Sequence, residues 1–445
     1  MSKTFRIGGI HPPDNKLTRD VAVADAGIPD TVTIPMSQHI GAPAIPCVAK
    51  GDKVKAGQLI AKAAGFVSSN IHSSVSGTVV SVDNIPDAGG VRRLAVTIKT
   101  EGDDWDEAVD RSDKLTPACN LSQKEIIEKI AAAGIVGMGG AAFPTQVKLS
   151  VPPGTKAECL IINGAECEPY LTSDYRCMLE RGEELLAGVE ILKKALDVDT
   201  AYIGIEKNKP EAIKYLRELA SNHIGIEVVA LKEKYPQGGE KQLIDAIIGR
   251  QVASGALPIS VGAVVQNVGT AIAVYEAVQK NKPLVERVVT VTGKGLATPA
   301  NLKVRIGTPL SYIIDKCGGI PENAAKIING GPMMGRAVAN TEAAVTKGTS
   351  GVLIMNEKES FRKKATPCIK CGRCITVCPM GLEPYYLYKL ANNGLLAETE
   401  QYDSMDCIEC GSCSYTCPAG LPLLDMIRLG KVEVMRIVRE RNAAK

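Results

Sequence analysis

The residues best placed to do chemistry in this chain are cysteines. From Cys368 to Cys417 they fall in two runs, CIKCGRCITVCP and CIECGSCSYTCP, each spaced C-x-x-C-x-x-C-x-x-x-C-P. That is the spacing by which two 4Fe-4S cubanes are held in one domain, the fourth cysteine of each run ligating the other cluster. The rule assigns Cys368, Cys371, Cys374 and Cys417 to one cubane, and Cys407, Cys410, Cys413 and Cys378 to the second. A cubane needs four thiolates at tetrahedral corners; three come from one tight turn of backbone and the fourth from elsewhere in the fold. Gly372 and Gly411 let the backbone curl close to the sulfides, and Pro379 and Pro418 end each turn. Zinc knuckles and a disulfide framework are the competing readings. Zinc takes four ligands per site and gives no reason to repeat this run with its trailing proline.

A second stretch, GIVGMGGAAFPTQVK from Gly134 to Lys148, is poor in side chains. Its core, G137-M-G-G-A-A142, matches the dinucleotide pattern G-x-G-x-x-A. That pattern should follow a strand and open a helix, whereas this copy follows a helix and runs into Pro144. The positions without a Cβ let backbone N–H groups approach a phosphate, with Lys148 as countercharge; an ordinary loop is the alternative. Three more strand-to-helix turns lie downstream: ECLIINGAECEPYLTSDYR, YPQGGEKQL and VVQNVGT.

The elements that must position these stretches are legible in outline. Ser122 with Glu125 forms a capping box ahead of Ile126, Ile127 and Ile130, which predicts a helix running into the glycine-rich loop. Strands AYIGI and IEVVAL alternate with helices such as PEAIKYLRELA across residues 120–285, which predicts an α/β domain with its loops gathered at one end of a sheet. Upstream, VTIPM, GDKVKAGQLIAKA, SGTVVSV and RRLAVTIK read as short β runs resembling the half-barrels of biotinyl and lipoyl carrier domains. The tip between the half-barrels, AAGFVSSN, has no lysine to carry a cofactor, so a structural barrel-sandwich is expected rather than a swinging arm. His39 and His72 stand alone there and read as structural groups. Glu101 to Ala118 reads as an acidic linker, and LEPYYLYKLANNGLLAETEQYD between the cysteine runs as helical. Met333 and Met334 read as packing residues, and the basic C-terminal helix as a solvated face.

Composition sets the compartment and excludes some partners. A net charge of +3 over 445 residues does not advertise nucleic acid. Eight of fourteen cysteines belong to the two runs and the other six are scattered singly, which fits a reducing compartment. The N-terminal residues lack the apolar core of a signal peptide. Pro258 to Ala277 is charge-poor but carries Ser260, Gln266, Asn267 and Thr270, and reads as a packed strand and helix rather than a bilayer span.

The four loops together resemble the flavin-binding part of the NADH-oxidising flavoprotein subunit of respiratory complex I. More broadly, the opening GGIHPPDNK, the loop GIVGMGGAAFPTQVKL, the turn INGAECEPYLTSDYR and the paired cysteine runs resemble the C subunits of Rnf-type membrane NADH:ferredoxin oxidoreductases. The resemblance implies an α/β multidomain chain: a barrel-sandwich module at 1–100, an FMN/NADH domain at 118–288, a β-grasp module at 289–345 and an α-helical dicluster ferredoxin domain at 358–435. It implies FMN facing Gly137, Gly139, Gly140, Lys148, Asn163, Glu166, Tyr235, Gly238, Asn267 and Thr270, and NADH with Glu166 and Glu168 flanking the nicotinamide. Ala165 and Gly239 stand where complex I has acids, and no aromatic is placed for the adenine. The implied partners are integral-membrane and ferredoxin-type subunits of the complex, NAD(H) and, indirectly, ferredoxin, with docking on the cytoplasmic side of the membrane. A hydride acceptor that releases single electrons makes flavin and cubanes a coherent pair, and no catalytic acid or base is required. A cobalamin reductase of the diol-utilisation type and a cluster-only electron relay are the other readings.

Overall fold

Strands in the middle of the chain are apolar almost without interruption, as suits a sheet covered on both faces. In the computed structural model, which describes residues 3–443, Cys159–Gly164, Thr200–Glu206, Ile226–Leu231 and Ala263–Asn267 form a fully parallel sheet. Leu185 and Val189 of the helix Gly182–Leu196, with Val274 of Val268–Lys280, pack in one core with Leu160 and Ile162. Leu243 and Ile247 of Glu240–Ile248 join Ile161 and Val265 in a second core on the other face. Each such side chain contributes roughly 1.5–3 kcal/mol when buried, which fixes the register of strands whose loops carry the chemistry.

The strand order is 226–231, 200–206, 159–164, 263–267. The chain therefore builds outward from Cys159–Gly164 and returns to its opposite side, which makes a switch point between 159–164 and 263–267. Open α/β sheets bind ligands at the carboxyl ends of the strands at such a point. The expected helix before the glycine-rich loop spans Gln123–Ala132, capped by Ser122 with the reciprocal Glu125 contacts of a capping box.

Four short strands, Thr31–Pro35, Lys53–Val54, Gly77–Pro86 and Arg92–Thr100, and three more, Ile45–Pro46, Leu59–Lys62 and Ile71–His72, make the two sheets of the N-terminal sandwich. Its lysine-free tip is tied to the α/β domain: Gln146 donates to the Ser68 carbonyl (2.8 Å) and Asn70 to the Ala132 carbonyl (3.2 Å). The buried Lys347 ammonium joins three units by donating to the carbonyls of Asn70 (2.8 Å) and Gly134 (2.7 Å). His39 accepts from the Ser69 amide (3.0 Å); His72 is buried and pushed down to about 3, first by lost hydration and then by Lys347.

Residues 3–30 are mostly irregular and do not stay with the sandwich. Gly9 donates to the Val377 carbonyl, Ile10 pairs with Tyr235, and Val23–Asp25 adds a parallel strand to the third sheet. That sheet, with strands at 286–292, 300–305, 324–329, 336–337 and 351–356 and the helix Leu310–Asp315, forms the small β unit. Trp105 of the acidic linker lies between Arg111 and Arg305. Residues 258–277 are a short 3-10 turn, a strand and a helix, and among the described residues no helix is long and apolar enough to cross a membrane. The regular structure of the cysteine region is helical, with Arg373–Thr376, Pro384–Asn392, Leu396–Gln401, Ser412–Thr416 and the long Leu423–Ala443 joined by irregular segments that carry most of the cysteines.

Candidate functional site

At the switch point two asparagines, Asn163 and Asn267, stand opposite each other at the carboxyl ends of adjacent strands. Asn163 donates to the Gly238 carbonyl (2.8 Å) and accepts from the Ala165 amide (3.2 Å), so it shapes two of the surrounding loops. Asn267 caps the helix Val268–Lys280 by accepting from the amides of Gly269 (2.8 Å) and Thr270 (3.4 Å). The glycine-rich loop lies over this pair. It is closed by the Gly137 amide on the Phe143 carbonyl (2.9 Å) and anchored by the Met138 amide on the Thr270 hydroxyl (2.9 Å). A Cβ on Gly139 would lie 2.5 Å from the Asn267 amide nitrogen, whereas one on Gly140 would meet no protein atom within 4 Å. Gly139, Gly140 and Ala141 are exposed, so their backbone is open to a ligand above two asparagines and a helix N-terminus. Lys148, on the helix after the loop, pairs with Glu240 (2.6 Å) and donates to the Val265 carbonyl (3.1 Å).

The acidic turn after Gly164 forms the other wall. Glu166, at positive φ, accepts from the amides of Asp174 (2.8 Å) and Tyr175 (3.2 Å) in the first turn of Ser173–Glu180. Three carbonyls of this turn, those of Glu166, Leu171 and Glu168, converge on the Lys16 ammonium at 2.6–2.9 Å. Lys16 belongs to the opening GGIHPPDNK segment, which gives that segment a role in shaping the turn. Asp174 accepts from the Asn267 side-chain amide (2.7 Å). Its carboxyl is pushed up to about 7, first by lost hydration and then by the Glu166 charge, against the pull of Asn267, Arg287 and Lys209. Arg287, buried on the first strand of the small β unit, donates to the Met138 carbonyl at 3.3 Å and so grips the glycine-rich loop from below.

A carboxyl raised on folding binds its proton more tightly in the native state, so its contribution to stability falls as pH rises from the unfolded value near 4 toward 7. Asp174→Asn removes that dependence. Melting temperatures between pH 4 and 7 should decline less steeply for the variant than for the parent. Parallel curves would mean that Asp174 titrates normally.

The remaining residues of this wall face the cysteines. Tyr235 is buried and donates its hydroxyl to the Cys410 carbonyl (2.8 Å). Ile10, Tyr235 and Cys410 form one apolar cluster, with Cys167, Met333 and Val377 packed against it. Glu168 accepts from the amides of Met333 (2.6 Å) and Met334 (3.1 Å), and lost hydration raises its pKa. Gly238 donates to the Cys167 sulfur (3.2 Å). Gly8, at φ +67°, comes so near that a Cβ there would lie 2.4 Å from the Cys378 carbonyl oxygen.

The cysteines themselves test whether clusters fit. Burial raises Cys413 to about 12, and the charges of Cys407, Cys410 and Cys378 add to the shift. Burial likewise raises Cys407 to about 11, with Cys410 and Cys378 adding to it, whereas Cys374 has Cys417 as its thiol neighbour. The charge of Cys378 is thus felt by Cys407 and Cys413 of the second run, and that of Cys417 by Cys374 of the first. Burial disfavours the thiolates of Cys378, Cys407 and Cys413, and an iron-sulfur core, which takes cysteines as thiolates, would offset their charge there. The two sets differ in surroundings. Cys378, Cys410 and Cys413 are buried, while Cys371 is exposed.

Of the residues expected at the flavin, Gly137, Gly139, Gly140, Asn163, Asn267 and Thr270 meet at the switch point, with Lys148 and Gly238 beside it. Glu166 supports the acidic turn, and Tyr235 and Glu168 lie on the cysteine side. Asp174, Arg287 and Lys16 were missed. Asp174 and Lys16 lie inside motifs named above for other reasons, and Arg287 reaches the site from a strand that carries no local pattern.

Family models match in the same order. They are the RnfC barrel sandwich hybrid domain over residues 3–103, the Nuo51 FMN-binding domain over 130–276, the SLBB domain over 288–337 and a 4Fe-4S dicluster domain over 356–421. Tyr235 links the glycine-rich crevice to the Cys410 turn, and with an FMN-binding domain and a 4Fe-4S dicluster domain this chain is of the flavin- and iron-sulfur-binding electron-transfer class. Over its full length it is 49% identical to the C subunit of the proton-translocating ferredoxin:NAD(+) oxidoreductase complex of Clostridium ljungdahlii, covering 97% of that protein. It is 44% identical to the Na(+)-translocating counterpart of Acetobacterium woodii, over 99% of both chains. Against the C subunit of the ion-translocating oxidoreductase complex of Rhodobacter capsulatus it is 45% identical, over 85% of this chain and 73% of the other. The chain belongs to this family of C subunits.

Proposed function

We propose that this chain is the NADH-oxidising subunit of an Rnf-type, ion-translocating ferredoxin:NAD(+) oxidoreductase, held at the cytoplasmic face of the membrane by partner subunits. The observation that carries the reading is the Tyr235 loop, whose flank closes on Asn163 at the crevice and whose hydroxyl holds the Cys410 turn. FMN bound at the crevice would supply the chemistry of accepting a hydride from NADH and yielding electrons singly to the clusters.

The residues divide the work. The exposed amides of Gly139 to Ala141 would hold the anionic phosphate, the dipole of the Asn267-capped helix Val268–Lys280 would favour its charge, and Lys148, paired with Glu240, would be the nearby cation. Asn163, Asn267 and Thr270 fix the loops that define the floor, and Arg287 and Lys16 keep those loops from relaxing. Glu166 holds the acidic turn beside the floor, and Glu168 anchors the Met333 segment against the cysteine domain. Cys378, Cys407, Cys410 and Cys413 hold the cluster next to the crevice, and Cys368, Cys371, Cys374 and Cys417 the outward one.

Anaerobic purification tests this. About eight irons and one FMN per chain, with NADH bleaching both flavin and cluster absorption, is the expected result. About eight irons without flavin, and no bleaching, would leave only the cluster relay. Turnover with cob(III)alamin in place of membrane partners would point to the cobalamin reductase.

A further inference from the structure

The cations of this chain are not all used alike. Those of the C-terminal helix are largely spent within the fold: Arg428 and Lys431 on Glu409, Arg436 on Glu433 and Glu440, Arg441 on Glu400. The segment around the outward cysteine set is different. Residues 361–376 contain five cations and no carboxylate. Arg362 reaches Asp425, but Lys363, Lys364, Lys370 and Arg373 are exposed and form no ion pair among the described residues.

Apolar side chains stand among these cations. Phe361 is 73% exposed, Ile369 67%, Tyr415 52% and Ile375 44%. They lie in neighbouring segments. Residues 363–366 run beside Ala419 and Gly420, just past Cys417, through the Thr366 amide on the Ala419 carbonyl (3.0 Å) and the approach of Lys363 to Gly420. The helices holding Ile375 and Tyr415 pack against each other. Exposed apolar side chains interleaved with charged ones are the composition of a protein interface, and here four of the five cations have no carboxylate partner among the described residues. Like charges crowded on a free surface repel one another; a cluster held by thiolates would itself be an anion beside Lys370 and Arg373, whereas Lys363 and Lys364, outside the run, are matched by an opposite charge that arrives from outside.

We propose that the surface formed by residues 361–376 and Tyr415, around Cys371, docks an acidic one-electron carrier domain of a partner subunit. This rests on the functional reading above and adds the exit and the partner's chemistry. The exchange moves a single electron: the outward cluster is oxidised, the partner's centre is reduced, and no bond is made or broken. Charge brings the partner in, and the exposed apolar side chains exclude water between the two redox groups.

The test uses the whole complex, purified anaerobically through a tag on this subunit, with Lys363→Glu/Lys364→Glu and the charge-conserving Lys363→Arg/Lys364→Arg. These positions lie outside the cysteine runs, so iron, flavin and the bleaching of this subunit by NADH should match the parent in both. In the glutamate variant, NADH-driven reduction of the partner's centre should slow at least about tenfold at low ionic strength and lose most of its salt dependence, and the partner should elute at lower salt. The arginine variant should behave as the parent. A glutamate variant with parental transfer rate and salt dependence overturns the proposal. So does an intact complex whose only defect is exchange with free ferredoxin, because the occupant is then ferredoxin. Failure of NADH to bleach the parent would instead sink the functional reading, while the salt-elution comparison would still decide the docking surface.

Discussion

Replacing Cys378 by alanine should remove the cluster held by Cys407, Cys410 and Cys413 and leave the one held by the rest of its own run. The purified variant should keep about four of eight irons and a single reducible cluster, where the parent has two. The reason lies in the spacing rule and in the charges: Cys378 closes the first run in sequence, yet its charge is felt by Cys407 and Cys413 of the second. It is also the buried member of its run, beneath Gly8 and beside the segment tied to Tyr235. The missing cluster is therefore the one nearest the crevice. NADH should still reduce bound flavin, but electrons should no longer reach the outward cluster at the parental rate. The mirror variant Cys417→Ala should lose the outward cluster and keep the inner one, with NADH bleaching of the inner cluster unimpaired. If Cys378→Ala instead lost the Cys368 set and kept the other, the crossed assignment would be wrong.

Local signals were enough for the parts of this fold that are local. The Ser122 capping box, the apolar strand Cys159–Gly164 and both cysteine runs announce themselves within a dozen residues each, because capping, pleating and cubane ligation depend on near neighbours in sequence. What the sequence could not show is how loops are shared between units. Tyr235 came with a flavin-pocket motif, yet its hydroxyl is spent on Cys410, 175 residues away. Glu166 and Glu168 read as a pair near the nicotinamide, but Glu166 satisfies the first turn of a helix and Glu168 the Met333 and Met334 amides of another unit. Orphan amides at a helix start and at a tight turn are strong competitors for any nearby carboxylate, and nothing in the local pattern reveals which one wins. The opening segment reads as irregular for the same reason: Lys16 makes order only by meeting three carbonyls at least 150 residues later.

The glycine-rich loop allows the sharpest separation of fold from ligand, because two adjacent glycines are there for different reasons. A methyl at Gly139 would press on Asn267, which cannot move cheaply: it caps a helix, worth about 1 kcal/mol, and supplies the hydrogen bond of Asp174, whose loss costs about 1–3 kcal/mol. Gly139→Ala should therefore lower the melting temperature even of flavin-free protein. A methyl at Gly140 meets no protein atom within 4 Å, and the residue has no positive φ to defend. Gly140→Ala should melt within about a degree of the parent when flavin-free, since exposed substitutions away from special features change stability by about 0.5 kcal/mol or less. It should nevertheless bind FMN about ten to a hundred times more weakly, the fold-change for about 1.4–2.7 kcal/mol. Titrating FMN into the two apoproteins, with calorimetry of each, reads both effects. Parental FMN affinity in Gly140→Ala would show that the ligand does not lie over this part of the loop. A parental melting temperature in Gly139→Ala would show that the loop can lift off Asn267 at no cost. A stable fold with a weakened site at one glycine, beside a weakened fold at the next, is the outcome that ties the exposed backbone of this loop to the phosphate.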